Sequence, residues 1–492
     1  MKLRKIYHII FVLLVTFLTF APTGLAAESS PETRIILLHV NDLHAKIDNF
    51  AKIAWYVQQE RKQHPNVFFL DAGDNFTGNP VSDQAEPKGE PVCQLLYKMG
   101  IDAMCLGNHE FDLGQERLNT FVKRAPFPVI SANIKVQSGT LTQPKPYVIL
   151  KTKNGIQLAI LGLIQVEKET GIPSSHPDNV KGITFPDPIA TALTFKDLKK
   201  EDNIFIALTH IGADQDEILA QKMGELDLIV GGHSHTVIAH PMHVNNVLIT
   251  QAGSDAKFIG RIELVVKNGK IIQKTGQLIN VASISGTLPE MEAMIKKFNQ
   301  NPRLDRVIAQ LPQPVEGKLE LGNLTTDAIC RVFHLDAAFH NNGGLRIHAL
   351  SPVVKLRDIY SLHPFANNIV QFDMTPDEIR SLITFDYEKH KGSDLQVSGL
   401  QYTIIASPDH KVERIDLNDS EGHALDETKT YKVGMNDYIA STYKFQHHDP
   451  GRSLKKTAAD ALIRYLEENR HSTADIQKVR ATETIRSKDR DQ

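Results

Sequence analysis

The sequence predicts an α/β protein of two domains. Short apolar runs alternate with helical stretches from Arg34 onward, polar residues gather where each run ends, and the pattern changes after Leu264. The chain has 492 residues, 41% of them hydrophobic and 23% charged. That is globular composition with length for two to four domains.

The elements follow in order. Lys2, Arg4 and Lys5 precede the uncharged run Ile9 to Phe20, then Pro22, Gly24, Ala26 and Ala27. This reads as a secretory signal over residues 1–27, with an apolar core too short for the roughly 20 residues of a membrane span. The protein is expected to be exported, periplasmic or extracellular after cleavage, without a stable membrane anchor. Ile35–Val40 is an apolar strand ending at Asn41-Asp42, and Phe50–Arg61 is helical. Strands at Val67–Leu70, Met104–Leu106 and Val129-Ile130 end at Asp71-Ala72-Gly73-Asp74, Gly107-Asn108-His109 and Ser131-Ala132-Asn133. Leu158–Leu163, Ile204–Leu208 and Leu228–Val230 end near Gln165, at Thr209-His210 and at Gly231-Gly232-His233. In α/β sheets, ligand groups collect at the carboxyl ends of strands.

After Leu264, Asn268-Gly269 predicts a hairpin turn within Val265 to Thr275. Leu288–Phe298 reads as an amphipathic helix. The expected division is a catalytic domain over 31–285, a linker helix over 286–310, a recognition domain over 311–480 and a frayed tail over 481–492. A helix is expected near Asn323–Phe333.

The net charge of −3 gives no overall basicity for a nucleic-acid polymer. Three cysteines, Cys93, Cys105 and Cys330, do not make a disulfide framework, and the spacing leaves open whether Cys93 and Cys105 pair. The chain carries 21 histidines, the commonest metal ligand and the usual acid or base near neutral pH.

Five clusters place such residues at strand ends: Asp42-Leu43-His44, Gly73-Asp74, Gly107-Asn108-His109-Glu110-Phe111-Asp112, His210 and Gly232-His233-Ser234-His235. Each alone has an ordinary reading as a surface turn or a satisfied core histidine. Together they offer two carboxylates, one amide and four imidazoles, a set suited to two divalent transition metals such as zinc or manganese. No thiolate takes part, so this is not a structural zinc finger. His109 is placed to face a substrate, with Asp112 three residues on to hold its ring in one tautomer.

These motifs resemble those of calcineurin-like metallophosphoesterases. The string Gly107-Asn108-His109-Glu110-Phe111-Asp112 resembles more narrowly the 5′-nucleotidase family, which includes bacterial exported UDP-sugar hydrolases. The resemblance implies an N-terminal β-sandwich flanked by helices and a smaller C-terminal α/β domain. It implies one metal on Asp42, His44, Asp74 and His235, and another on Asp74, Asn108, His210 and His233. His109 would contact the phosphoryl group, oriented by Asp112. Val40 and Ala45 depart from common family residues without removing a ligand.

In the second half, Asn341-Asn342-Gly343-Gly344-Leu345-Arg346 resembles the family's glycine-rich segment, with Arg346 facing a phosphate or carboxylate. His363-Pro364-Phe365-Ala366-Asn367 and Asn436-Asp437-Tyr438-Ile439-Ala440 resemble its two stacking segments, so Phe365 and Tyr438 would sandwich a base. Two departures stand out. Ser441 to Phe445 replaces a Gly-Gly-Asp-Gly run, putting Lys444 near the usual carboxylate, and Lys318 sits where an arginine is common.

The resemblance implies a two-metal phosphohydrolase acting on nucleoside 5′-monophosphates, with nucleoside diphosphates and nucleotide sugars as further substrates. Its partner is the nucleotide alone, and a monomer or weak dimer is expected. The alternatives are a 2′,3′-cyclic-nucleotide phosphodiesterase with 3′-nucleotidase activity, a non-nucleotide hydrolase on the same scaffold, and an inactive exported ligand-binding protein.

Overall fold

The computed structural model describes residues 32–468 and 476–485. The expected signal segment, 1–27, lies outside them.

Apolar strands build a sandwich of two six-stranded sheets. The first runs in the order Lys270–Asn280, Phe258–Lys267, Thr33–Val40, Val67–Asp71, Ala103–Cys105, Val129–Ile130. The second runs Met242–Val244, Val247–Thr250, Leu228–Val230, Asn203–His210, Gln157–Ile164, Tyr147–Lys151. In the second sheet the central strands are parallel and both edges antiparallel; in the first, the strands from Thr33–Val40 to Val129–Ile130 are parallel and the antiparallel strands lie at the other edge.

Side-chain alternation explains why these strands are apolar throughout. Ile35 and Leu37 face the second sheet, meeting the layer of Leu158, Ile160, Ile206 and Leu208. Ile36, Leu38 and Val40 point the other way, into the core under the helix Phe50–Gln63. Phe205 and Ala207 likewise serve the second sheet's outer face, with Leu219 and Ala220 of the helix Ala213–Lys222. The hairpin turns at Asn268-Gly269, both with positive φ, as a primed turn requires.

The helix Pro289–Asn299 leads out of the sandwich. Val307–Gln310 already pairs with Val353–Lys355, so the second half begins its strands slightly before the expected boundary at 311. Its main sheet has the order Leu395–Ser398, Ala337–Asn341, Tyr431–Asn436, Asn368–Met374, Arg452–Thr457. The helices Gly317–Phe333, Pro376–His390 and Ala458–Glu468 accompany these strands.

The expectation of a frayed tail from 481 is corrected in part. Ala481–Ile485 forms a strand that pairs in parallel with Leu400–Ala406. Backbone ladder bonds hold this exposed edge strand, and its side chains carry little apolar signal. The cysteines are unpaired: Cys93 and Cys105 are both buried as free thiols.

Candidate active site

The site begins with turns that ordinary residues avoid. Asp42, His44, Asp74, His233 and His235 all adopt left-handed backbone, with φ of 51°, 45°, 59°, 80° and 56°. Such conformations cost non-glycine residues about 1 kcal/mol or more each, and persist where surroundings over-determine them. Here the turns lace together. The Asp42 amide donates to the Gly73 carbonyl at 2.8 Å, His44 to Asp74 at 3.0 Å, and Ala45 to Asn75 at 2.8 Å. The His233 amide donates to the Asp42 carboxylate at 2.9 Å.

Glu110 ties a second pair of loops. Its fully buried carboxylate accepts the backbone amides of Asn75 at 2.6 Å, Asp74 at 3.0 Å and Gly107 at 2.7 Å. The sequence shows Glu110 inside its motif but gives no sign of this role, because the three amides come from two separate loops. Gly107 is required for closeness: a Cβ there would collide with the Asp74 carboxylate. The Asp74 carboxylate also accepts the His109 amide at 2.8 Å.

Three overlapping groups of potential ligands result, one of which, His44, Asp74 and His109, links the other two. In the first of those two, Asp42, His44 and His235 converge. His44 Nε2 lies 3.0 Å from His235 Nε2, which is 3.3 Å from Asp42 Oδ1. The second contains Asp74, His210 and His233. His210 Nε2 is 3.0 Å from Asp74 Oδ2, and His233 Nδ1 is 3.0 Å from Asn108 Oδ1. The Asn108 amide nitrogen donates to the Ser174 carbonyl at 3.2 Å, which turns Oδ1 toward His233.

The tautomers fit metal binding. His210 Nδ1 lies 2.7 Å from the Ala72 carbonyl and His44 Nδ1 lies 3.3 Å from the Thr77 carbonyl. A carbonyl only accepts, so Nδ1 carries a proton in both rings, and His44 Nε2 is left as a bare lone pair. Burial opposes protonation of His210, but Asp74 and Asp42 outweigh it and raise its pKa to about 10, so without a cation His210 Nε2 also holds a proton toward Asp74, which a bound metal would displace. Burial holds the His44 pKa well below its ordinary value, aided by His109 and Arg346. Burial, with His210 beside it, lowers that of His233 to about 4. Burial would raise the Asp74 pKa, but His210 and His109 outweigh it and hold the carboxyl ionised. Neutral imidazoles and charged carboxylates are the forms that ligate metals.

Beside these groups, His109 Nδ1 is 2.7 Å from Asp112 Oδ2. Burial opposes protonation of His109, yet Asp112 and Asp74 outweigh it and raise its pKa. The Phe365 ring stacks on His109, with centroids 5.5 Å apart and planes 12° from parallel. The Arg346 guanidinium lies 5.8 Å above Phe365 and reaches within 3.3 Å of His44 Nε2.

A cleft of about 670 Å³ joins the two halves. Asp74, Asn108, His109, Asp112, His233 and His235 line it from the first domain, and Asn341, Gly344, Arg346, Phe365 and Tyr438 from the second. Asp42, His44 and His210 are buried rather than part of its lining. Phe365 sits against His109, closer to the metal-ligand groups than a remote stacking platform would.

The sequence missed other lining residues. Ser174, His176 and Asn179 come from a loop with no strand-end signal. Lys318 also acquires a role: its ammonium donates to the carbonyls of Asn342, at 2.9 Å, and Leu345, bracing the loop that carries Arg346. Lys444 does not line the cleft; it is exposed, while its neighbours Tyr443 and Phe445 enter the second domain's core.

Comparison with known proteins agrees with this architecture. The calcineurin-like phosphoesterase family model matches residues 35–237, and the 5′-nucleotidase C-terminal domain model matches residues 305–446. The chain is 27% identical over 470 residues to the trifunctional nucleotide phosphoesterase protein YfkN of Bacillus subtilis, covering 83% of this chain and 32% of that protein. It therefore spans about a third of that relative's length. It is 26% identical over 481 residues to a 5′-nucleotidase of Diplobatis ommata, covering 83% of this chain and 82% of the relative. The crystal structure of a 5′-nucleotidase precursor from Thermus thermophilus superposes with a TM-score of 0.80 at 25% identity, covering 92% of this chain and 100% of that one. The chain thus pairs a calcineurin-like phosphoesterase domain with a 5′-nucleotidase C-terminal domain, and is similar to 5′-nucleotidases over both.

Proposed function

We propose that the chain is an exported, metal-dependent phosphohydrolase that removes phosphate from nucleoside 5′-monophosphates. The observation that carries this reading is one cleft presenting both the His109–Asp112 pair beside clustered ligands and two aromatic residues from the other domain. Asp42, His44, Asp74 and His235 would hold one divalent ion; Asp74, Asn108, His210 and His233 would hold the other. Bound metals of this kind supply Lewis-acid stabilisation of phosphoryl oxygens and activation of water.

The chain's own residues do the rest. Asp112 accepts from His109 Nδ1 and, with Asp74, favours the imidazolium against burial, so the protonated Nε2 can donate to a phosphoryl oxygen as charge builds there. Arg346 adds a planar cationic fork for phosphate oxygens, on a loop braced by Lys318. Asn341 and Gly344 let that loop approach the ligand closely. Phe365 and Tyr438 offer π faces to the base, a mode tolerant of base identity. For Phe365 to stack on a base, its ring must part from His109, so substrate entry involves relative movement of the domains.

Residues 1–27 support export on their sequence pattern alone. Nucleoside diphosphates and nucleotide sugars remain within the proposed range, because a cleft of about 670 Å³ exceeds the needs of a mononucleotide. The test is hydrolysis of AMP, ADP, UDP-glucose, 3′-AMP, 2′,3′-cyclic AMP and p-nitrophenyl phosphate, each with zinc or manganese and with the products separated and identified, because opening the cyclic diester or splitting UDP-glucose frees no inorganic phosphate by itself. AMP should be turned over with the highest kcat/KM. Preference for 2′,3′-cyclic AMP would move the assignment to the cyclic-nucleotide alternative, and hydrolysis of none would defeat it.

A further inference from the structure

We propose that Asp386, His390 and Asp394 form a third divalent-cation site, in the second domain and apart from the cleft. The helix Pro376–His390 places Asp386 and His390 one turn apart on the same face. Lys391 ends the helix in left-handed backbone, with φ of 56°. The chain then turns back until the Asp394 amide donates to Asp386 Oδ2 at 2.9 Å. One ligand atom from each residue lies within 4.8 Å of the other two. His390 Nδ1 and Asp386 Oδ1 are already 3.0 Å apart.

Burial and charge favour a cation here. The Asp386 side chain is 1% exposed and that of His390 is 32% exposed, which gives the site a buried floor and an open side. Among the described residues, no lysine or arginine makes an ion pair with Asp386 or Asp394, although two carboxylates share the pocket. Lys389 is engaged elsewhere, 3.7 Å from Glu167 and over the Tyr443 ring. An ion bound by donors at about 2.0–2.2 Å sets them roughly 3.5 Å from one another, which lies between the 3.0 Å now separating His390 Nδ1 from Asp386 Oδ1 and the 4.8 Å that bounds the group. One imidazole and two carboxylates suit an ion of the zinc or manganese type, with water completing its shell.

The site has a route to the cleft without sharing its lining. The Asp394 carbonyl accepts the Asn342 amide at 2.9 Å, and the Gln396 side chain donates to Asn342 Oδ1 at 3.0 Å. Asn342 lies within the loop that presents Asn341, Gly344 and Arg346. A cation on Asp394 would stiffen that loop from behind.

Metal counting tests the site. Full-length protein is stripped with chelator, reloaded with manganese or zinc, separated from free metal, and its metal counted per chain. The wild type should hold three equivalents and His390→Ala two; Asp394→Asn, which keeps the local shape, should match His390→Ala. A cleft double variant, Asp74→Asn with His233→Ala, should keep one equivalent and lose it when His390→Ala is added. A count unchanged by both His390→Ala and Asp394→Asn overturns this site. A count unchanged by the cleft double variant instead overturns the cleft assignment, so the two failures are distinguishable.

Discussion

Replacing Glu110 with glutamine changes one atom but removes an arrangement that glutamine cannot reproduce. The Glu110 Oε1 accepts from Asn75, and Oε2 accepts from both Asp74 and Gly107. An amide group has one oxygen, so its NH2 must face either one or two backbone N–H donors. The better orientation keeps the Asp74 and Gly107 bonds and sets NH2 against the Asn75 amide. Leaving the buried Asn75 donor without its charged acceptor costs about 1.5–3 kcal/mol. That is the destabilisation predicted for Glu110→Gln in metal-free protein above pH 7, the value to which burial and Asp74 raise the Glu110 pKa. The turn that bears Asp74 should loosen with it, lowering metal occupancy under limiting metal. Urea unfolding in chelator measures the first effect, and metal content after dialysis the second. A variant within 1 kcal/mol of wild type with full metal content would refute the idea that Glu110 holds these loops.

Three further outcomes are expected. Asp74→Asn should reduce metal at both cleft positions, because Asp74 belongs to both proposed ligand sets; metal analysis showing loss at neither would remove it as the bridge. Phe365→Ala should raise KM for AMP by about 5- to 150-fold, the range of one base–aromatic stack, with a smaller effect on p-nitrophenyl phosphate; equal effects on both would leave Phe365 without a base to recognise. Asp216, fully buried and accepting from the Thr209 hydroxyl, has its pKa pushed up to about 7 by burial. The folded state therefore holds that proton more tightly than the unfolded chain. The associated stability is present below the unfolded pKa near 4 and lost as pH rises through 7, amounting to about 3 kcal/mol between pH 5 and 8. Asp216→Asn should remove that slope in chelated protein, and identical pH profiles for variant and wild type would contradict it.

The contrast between these residues shows what a single sequence can reveal. The strands of the sandwich were legible because burial on both faces makes them continuous apolar runs, as at Thr33–Val40 and Asn203–His210. Asp42, Asp74, Asn108, His210 and His233 were legible because each follows such a run closely. Ser174, His176 and Asn179 reach the same cleft from an irregular loop, with no periodicity to mark them. The stacking of Phe365 on His109 joins residues far apart in sequence and depends on how the domains meet. The strand at Ala481–Ile485 escaped notice because backbone pairing holds it while its side chains stay mostly exposed. Some histidines near the motifs need no chemistry: His39 bonds to Thr250 inside the sandwich, and burial lowers its pKa to about 3.

In the proposed mechanism His109 acts on a phosphoryl group beside a metal centre that the other ligands hold. The most direct test compares His109→Asn with wild type, measuring metal content and phosphate release from AMP on the same samples. Metal content should be unchanged and turnover lower by about two to four orders of magnitude, the usual contribution of a positioned acid or base. Near-normal turnover at full metal content would contradict it.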